Sequence, residues 1–135
     1  MADIRESVLT AWQAALVDKL AGIGKPVYTV RPQAADGGSD ADYPHIHLDP
    51  PVATAWDTST EDGRDIVQRV HVRWRGQSLV PGQQLMAEVY DLLHHGDLEM
   101  TGWRLVLLQL EQEFVTDLGG SFDGVCEYRG LVEKS

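Results

Sequence analysis

The stretch Asp65-Ile-Val-Gln-Arg-Val-His-Val-Arg-Trp-Arg75 decides the fold, because apolar and basic residues alternate along its second half. One side of it carries Val70, Val72 and Trp74, and the other side carries Arg69, His71, Arg73 and Arg75. A period of two over this length predicts a strand with one buried face. We therefore predict a central strand with Trp74 in the core. The four basic side chains, called the basic row below, lie on the opposite face of a sheet.

The basic row needs acidic neighbours, because like charges along one sheet face repel each other. Candidate partners within the fold are Glu111, Glu113, Glu127 and Glu133, on later strands. The alternative is an acidic surface on a neighbouring subunit, which would suit assembly into a ring. The sequence gives no strand register, so both alternatives stay open, with internal pairing slightly favoured.

A polar segment, Thr58 to Arg64, precedes the central strand and follows Trp56 and Asp57. We interpret it as a long hairpin loop that leads into that strand. Its neighbouring carboxylates could bind a cation; they are Glu61, Asp62 and Asp65. Their spacing matches no recognised calcium loop, so a solvated turn is favoured.

The flanking sequence predicts two amphipathic helices and several strands. Helical spacing covers Asp3–Leu20 and a stripe from Leu85 to Leu93, and the predicted strands are 26–30, 43–48, 103–116 and 125–132. Asp3 and Glu6 form a plausible capping box, and His94 and His95 suit the C-terminal end of the second helix. Strand 103–116 is apolar on both faces at its start, which suggests a position inside the sheet. The prediction is a single α+β domain over residues 1–135, mainly antiparallel sheet packed by two helices.

Residues 31–42 have almost nothing to bury and are flexible by composition. The segment contains Arg31, Asp36, Asp40 and Asp42. A plain mobile loop is favoured over an assembly loop that becomes ordered on contact.

Composition narrows the class of protein. The chain has 135 residues and a net charge of −10, which argues against a general nucleic-acid binder. A single cysteine, Cys126, is consistent with a reducing compartment and is expected to be a buried thiol. The first residues lack the order of a signal peptide, and no apolar run is long enough to span a membrane. We expect a cytoplasmic site of synthesis.

Motifs for catalysis or cofactor binding are not found in the sequence. It contains no Gly-rich phosphate loop, His-Glu-x-x-His, Cys-x-x-Cys or Gly-x-Ser-x-Gly. His45 and His47 share one strand face, but without a nearby carboxylate or cysteine pattern they are expected to be solvated rather than metal ligands. We predict no enzyme activity, no cofactor and no metal site.

Five motifs in order suggest a family. They are Tyr43-Pro44-His45-Ile46, Trp56-Asp57-Thr58-Ser59-Thr60-Glu61-Asp62-Gly63-Arg64, His71-Val72-Arg73-Trp74, Gly102-Trp103-Arg104-Leu105 and Tyr128-Arg129-Gly130-Leu131-Val132. The chain resembles the small tail-completion proteins of long-tailed phages, prophages and phage-like gene transfer agents, the DUF3168 family. The resemblance covers nearly the whole chain. The stretch Asp36 to Asp42 is longer than expected for this family.

The resemblance implies a tail terminator, which forms a ring, typically sixfold, on the end of the tail tube. Such a ring stops polymerisation of the tube and supplies the surface that joins the head. Implied partners are further copies of the chain, the tail tube protein and a head–tail connector or stopper, with DNA only passing through the channel and no membrane. The implied location is the head-proximal end of the virion tail, assembled in the bacterial host cytoplasm.

The resemblance also implies that the loop and the segment 31–42 contact neighbouring rings. Combined with the basic row, this gives ten predicted interface residues: Asp57, Thr58, Glu61, Asp62, Arg64, Asp65, Arg69, His71, Arg73 and Arg75. Two other functions remain as alternatives. One is a stopper on the head side of the joint, and the other is a small ligand-binding or metal-binding enzyme that uses His45, His47 and His71.

Overall fold

A computed structural model describes residues 7–30, 43–57 and 62–135. In chain order the elements are α1 (Val8–Leu20), a 3-10 turn (Ala21–Ile23), β1 (Val27–Tyr28), β2 (His45–Leu48), β3 (Val52–Ala55), β4 (Gly63–Arg75), α2 (Val80–Leu93), β5 (Trp103–Asp117) and β6 (Ser121–Lys134). The strands form one six-stranded sheet in the order β1-β2-β4-β6-β5, and β3 also pairs with β4. The β1–β2 pair is parallel and the remaining pairs are antiparallel. The predicted α+β class is confirmed.

β4 is the strand around which the sheet is built. It pairs with β6 along its whole length, from Gly63 to Arg75. On its other side β3 pairs with its first half and β2 with its second half. The predicted burial of Val70, Val72 and Trp74 is confirmed, since none is more than 2% exposed. The strand begins at Gly63, so Arg64 belongs to the strand and not to the loop before it.

Both helices cover the face of the sheet that includes Trp74, and their packing depends on glycines. A side chain at Gly130 would have its Cβ 2.4 Å from the ring of Trp12 in α1. A side chain at Gly82 in α2 would lie 2.0 Å from the ring of Trp74. Since only glycine permits such close approach, these positions fix how the indole rings lie between helix and sheet.

α1 begins at Val8, and the Ser7 hydroxyl accepts a hydrogen bond from the backbone N–H of Thr10 at 3.0 Å. Ser7 is thus the N-cap residue, which satisfies one of the free amides at the start of the helix. The predicted capping box of Asp3 and Glu6 lies outside the described residues. The predicted apolar stripe of this helix is buried from Val8 to Leu20. No helix within residues 7–30, 43–57 and 62–135 has the length and apolar character needed to cross a membrane.

Three predicted elements differ from the structure. The strand predicted at 26–30 is only Val27–Tyr28, and the last strand begins at Ser121 rather than at Val125. The prediction that the strand 103–116 lies inside the sheet is wrong, because β5 is the edge strand next to β6. Its apolar start is explained by α2 and the segment that follows it, which pack against one end of this edge.

His94 is the C-cap residue of α2, at the helix end where the sequence predicted it, and its side chain also contacts β5. Its Nδ1 accepts a hydrogen bond from the backbone N–H of Leu110 at 3.0 Å. The backbone N–H of His95 donates to the carbonyl of Leu108 at 2.7 Å. The two histidines therefore cover part of the outer edge of β5, and the backbone N–H of His94 also caps α2 by donating to the Tyr90 carbonyl at 2.8 Å.

Candidate functional site

The face of the sheet opposite the helices is called the open face here. The basic row lies on it, because its residues alternate with the buried ones along β4. Strand register places Arg69 opposite Glu127, Arg73 opposite Asp123 and His71 opposite Val125 of β6. On the other side His71 lies opposite His47 of β2. The open face therefore brings basic, acidic and histidine side chains together along three neighbouring strands.

Most charges of the open face are paired within the chain. Arg69 Nε donates to Glu127 Oε1 at 3.2 Å, so the favoured internal pairing is found for this residue. Arg129 donates to both carboxylate oxygens of Asp65, with Nη2 to Oδ2 at 2.7 Å. These hydrogen bonds raise the pKa of Arg129 above its ordinary value. Glu133, a predicted partner of the basic row, instead pairs with Arg104 of β5.

His71 lies between two carboxylates that the sequence analysis did not propose as its partners. Its Nδ1 is 2.9 Å from Asp123 Oδ1, and its Nε2 is 2.8 Å from Asp49 Oδ2. The hydrogen bond to Asp123 is the main cause that raises the pKa of His71, and it outweighs the opposing effect of burial. Burial by itself would raise the pKa of Asp123, but His71 and Arg73 outweigh it and the pKa is lowered. Arg73 Nε lies 3.5 Å from the same carboxylate.

His45 and His47 are buried, so the prediction that they are solvated strand residues is wrong. β2 lies between β1 and β4, and both of its faces are covered. The ring of His45 packs against Tyr28 and Tyr43, with centroids 5.1 and 4.9 Å away. Burial, followed by the charge of Arg73, lowers the pKa of His47.

A carboxylate also lies close to His47, contrary to the sequence analysis. Asp49 Oδ1 is 3.5 Å from His47 Nδ1, and ligand atoms of His47, Asp49 and His71 all lie within 4.8 Å of one another. This set differs from the predicted enzyme site, since Asp49 takes part and His45 does not. The predicted cation candidates Asp62 and Asp65 pair with Arg64 and Arg129, and Glu61 lies outside the described residues.

The loop between β3 and β4 is closed by hydrogen bonds at its base. Asp57 Oδ1 accepts from the backbone N–H of Gly63 at 3.3 Å, and the backbone N–H of Trp56 donates to the Gly63 carbonyl at 2.9 Å. Arg64 donates to Asp62 and to the Gly63 carbonyl, and its guanidinium lies 5.7 Å from the centre of the Trp103 ring. Five further predicted contact residues lie outside the described residues. They are Thr58 of this loop and, in the predicted assembly loop, Arg31, Asp36, Asp40 and Asp42.

Arg75 ends the basic row at the rim of the open face. It is exposed, and its guanidinium carbon lies 4.0 Å from the centre of the Tyr43 ring. Its described contact is with an aromatic ring, whereas Arg69, His71 and Arg73 contact carboxylates. Its charge is thus available to an acidic group outside the chain.

The second surface of note is the distal half of β5, residues 112–117. The part of β5 around Leu108 and Leu110 is covered by the two histidines, whereas the distal half has no paired strand on its outer side in the described chain. Beside it lies a groove of about 560 Å³ between α2 and β5, lined by Gln83, Met86, Ala87, Tyr90, Glu113, Phe114 and Val115. An unpaired strand edge is a template for pairing with another chain.

Sequence reasoning missed Asp49, Asp123 and Gln68. Asp49 follows the predicted strand 43–48 and Asp123 precedes the predicted strand 125–132, and neither position shows which side chain the aspartate will meet. Gln68 is buried on the helix-covered face, where its Oε1 accepts from Trp12 Nε1 at 3.0 Å. Its alternation with Val70 and Val72 was the available signal for its burial.

Two comparisons relate the chain to known proteins. The sequence model of a family described as "Tail completion protein gp17" matches residues 13–133. A solved chain from a structure titled "Virion of native gene transfer agent (GTA) particle" has the same fold, with a TM-score of 0.79 and 21% identity. The alignment covers 96% of this chain and 99% of that chain. No curated protein matches the chain.

Proposed function

The chain belongs to the family of tail completion protein gp17, and on this premise we propose that it is a structural tail terminator of a phage or phage-like particle. In this role residues 1–135 form one domain that assembles as a homo-oligomeric ring, expected to be a hexamer. The ring caps the tail tube, stops its polymerisation and joins it to the head. The observation that carries the proposal is the family match across residues 13–133.

The fold likeness to a chain of a gene transfer agent virion supports a place in a virion. The proposed location is the head-proximal end of the tail, reached after assembly in the host cytoplasm. The proposed partners are other copies of the chain, the tail tube protein and the head–tail connector or stopper. DNA would only pass through the channel, and the net charge of −10 opposes its adhesion to the ring.

Ring contacts are proposed for the open face and for the loop that leads into β4. Arg69 and Arg75 are exposed, and the Arg69 side chain keeps 48% of its surface accessible while paired with Glu127. Surface pairs of this kind contribute little to the stability of a monomer, so they can exchange partners across an interface at small cost. The distal half of β5 and its adjacent groove supply a second contact, in which a neighbouring copy pairs with the free edge.

A structural role without catalysis agrees with the chemistry of the described residues. Cys126 is fully buried, and burial raises the pKa of its thiol to about 12. A thiol of this kind is protonated and inaccessible at neutral pH, which does not suit a nucleophile. Of the histidines on the open face, His71 is engaged with two carboxylates and His45 packs against two tyrosine rings.

Electron microscopy of particles from cells that lack the gene tests the proposal. Tails of uncontrolled length without attached heads are the expected result. Tails of normal length beside full heads that leak DNA would move the protein to the head side of the joint, as a stopper. Normal, infectious particles would refute a structural role.

Variants of the loop test the proposed contacts. Arg64→Ala and Asp57→Ala should leave a folded monomer and fail to restore normal tail length when supplied in place of the wild-type chain. Lys25→Ala is a control, because it removes an exposed basic side chain that lies between the 3-10 turn and β1 rather than on the open face or in the loop. Unfolding of the monomer by Arg64→Ala would mean that the loop is needed for the fold rather than for assembly.

A further inference from the structure

Three potential metal ligands meet where β2 and β4 lie side by side. His47 and His71 are directly opposite each other in the antiparallel register. Asp49 follows β2, and its backbone N–H donates to the carbonyl of Arg69 at 3.1 Å, which fixes its place beside the two histidines. The strand pairing, rather than a flexible loop, therefore holds this cluster together.

The two ring nitrogens of His71 each face an aspartate carboxylate. Asp123 holds Nδ1 at 2.9 Å, so Nε2 points towards Asp49 at 2.8 Å. A carboxylate on one ring nitrogen fixes the tautomer and orientation of the other, and this arrangement is common around metal-bound histidines. Asp123 also contacts Arg73, which holds the carboxylate in place.

His47 is a buried residue that is only 9% exposed. Its Nδ1 is buried and has no hydrogen-bond partner within the described part of the chain. It is directed at Asp49, but the separation of 3.5 Å is long for a hydrogen bond. Buried polar atoms are normally satisfied, so an unsatisfied imidazole nitrogen facing a carboxylate and a second imidazole calls for a missing partner.

We propose that His47 Nδ1, Asp49 and His71 Nε2 bind one zinc-class divalent cation, with Asp123 as the positioning residue behind His71. Two imidazoles and one carboxylate are a suitable donor set for Zn²⁺, which is bound by nitrogen and oxygen at about 2.0–2.2 Å. Ligand atoms of a tetrahedral site of this size lie about 3.4 Å apart, so the present spread of up to 4.8 Å has to close by about 1.4 Å, while His71 Nε2 and Asp49 Oδ2, now 2.8 Å apart, have to separate slightly. The cation takes the place of the hydrogen between His71 and Asp49, which leaves as a proton.

The charges around the cluster favour a cation. Asp49 and Asp123 are negative, and Arg73 offsets one of these charges, so the cluster has a net negative charge once the proton between His71 and Asp49 has left. Access is from the side of Asp49, whose side chain is 34% exposed.

Bound metal would join β2 to β4 on the face that the helices do not cover. This role does not depend on the proposed tail-terminator function, since a folded monomer contains the complete cluster.

Calorimetric titration of tag-free, metal-stripped protein with zinc chloride tests the inference. We expect one equivalent to bind with a Kd below about 1 µM and to raise the melting temperature. Cobalt(II) in place of zinc should give the intense visible absorption of a tetrahedral site. Failure to observe saturable binding below about 100 µM of either metal would overturn the proposal.

Variants locate the site. His47→Gln should weaken zinc binding at least about a hundredfold, and Asp123→Asn about ten- to a hundredfold. His95→Gln removes an exposed histidine outside the cluster and should leave binding unchanged. If His47→Gln fails to fold, the imidazole NMR signals of the wild-type chain replace it, because zinc must shift those of His47 and His71 and spare that of His95. Binding that is unaffected by His47→Gln, or shifts confined to other histidines, would overturn the proposal.

Discussion

The helix-covered face of the sheet is packed from tryptophan rings that lie against glycines, whereas the open face is held by paired charges. On the first face Trp12 and Trp74 are almost fully buried, and neither Gly130 nor Gly82 has room for a side chain. On the second face Arg69 keeps half of its side chain exposed while paired with Glu127. Close packing specifies one arrangement, and surface charge pairs permit several. The difference separates the part of the molecule that makes it fold from the part that is free to bind.

Buried polar groups are satisfied to different extents on both faces, since the Tyr128 hydroxyl beneath the helices also has no hydrogen-bond partner among the described residues. Beneath the helices Gln68 uses both ends of its amide, accepting from Trp12 and donating to the Asp49 carbonyl at 2.7 Å. On the open face His47 Nδ1 is left without a hydrogen bond in the described residues. A fully satisfied network stabilises a core, and an incomplete one points to a missing partner.

The largest expected effect is on the helix-covered face. Trp74→Ala should lower the free energy of unfolding by about 3–5 kcal/mol, because it removes a large aromatic side chain that is 2% exposed. Urea denaturation measures the change. Leu118→Ala is the control, since Leu118 is 61% exposed and its truncation should change stability by less than about 0.5 kcal/mol. Equal stability of Trp74→Ala and the wild type would mean that the two faces have been reversed.

Cys126 gives a chemical test of the same face. An ordinary thiol has a pKa of 9.0, and burial raises that of Cys126 to about 12, so its thiolate fraction at pH 8 is about a thousandfold lower. The native chain should therefore react with iodoacetamide at least about a thousandfold more slowly than the urea-unfolded chain. Mass spectrometry follows the reaction. Native and unfolded rates of alkylation within tenfold of each other would contradict the burial.

The raised pKa of Cys126 also sets a direction for stability against pH. The native state retains the thiol proton between pH 9 and about 12, so this group makes the free energy of unfolding fall as pH rises through that range.

A glycine substitution sharpens the comparison with a smaller change. Gly130→Ala should destabilise the chain by about 1–3 kcal/mol, because its Cβ would lie 2.4 Å from Trp12 and force the ring to move. Gly22→Ala is the matched control, since a Cβ there would meet nothing within 4 Å. Thermal melts of the two variants compare them directly. If both variants melt like the wild type, the approach of α1 to the sheet is looser than the structure indicates.

The two faces also differ in how far the sequence predicts them. Alternation along β4 predicted the burial of Val70, Val72 and Trp74, since a period of two is a local property. It could not predict that Asp49 and Asp123 would enclose His71, because those contacts depend on the register between strands. The edge position of β5 was missed for a related reason. Its apolar residues indicated burial, and only the fold shows that the segment after α2 covers this part of the edge.

The smallest expected effect on stability, and the one that matters for function, is on the open face. Arg69→Ala removes the exposed pair with Glu127 and should change the free energy of unfolding by about 0.2–1 kcal/mol. Because the same charge is proposed to meet a neighbouring subunit, this variant should still reduce the yield of particles with tails of normal length. Urea denaturation and electron microscopy of the particles provide the two readouts, and Lys25→Ala serves again as the control for loss of a surface charge. A loss of several kcal/mol would make the open face as important for folding as the face with Trp74, and normal particles would remove Arg69 from the proposed interface. A variant monomer with nearly wild-type stability that fails to assemble would mean that the helix-covered face determines folding and the open face is needed for assembly.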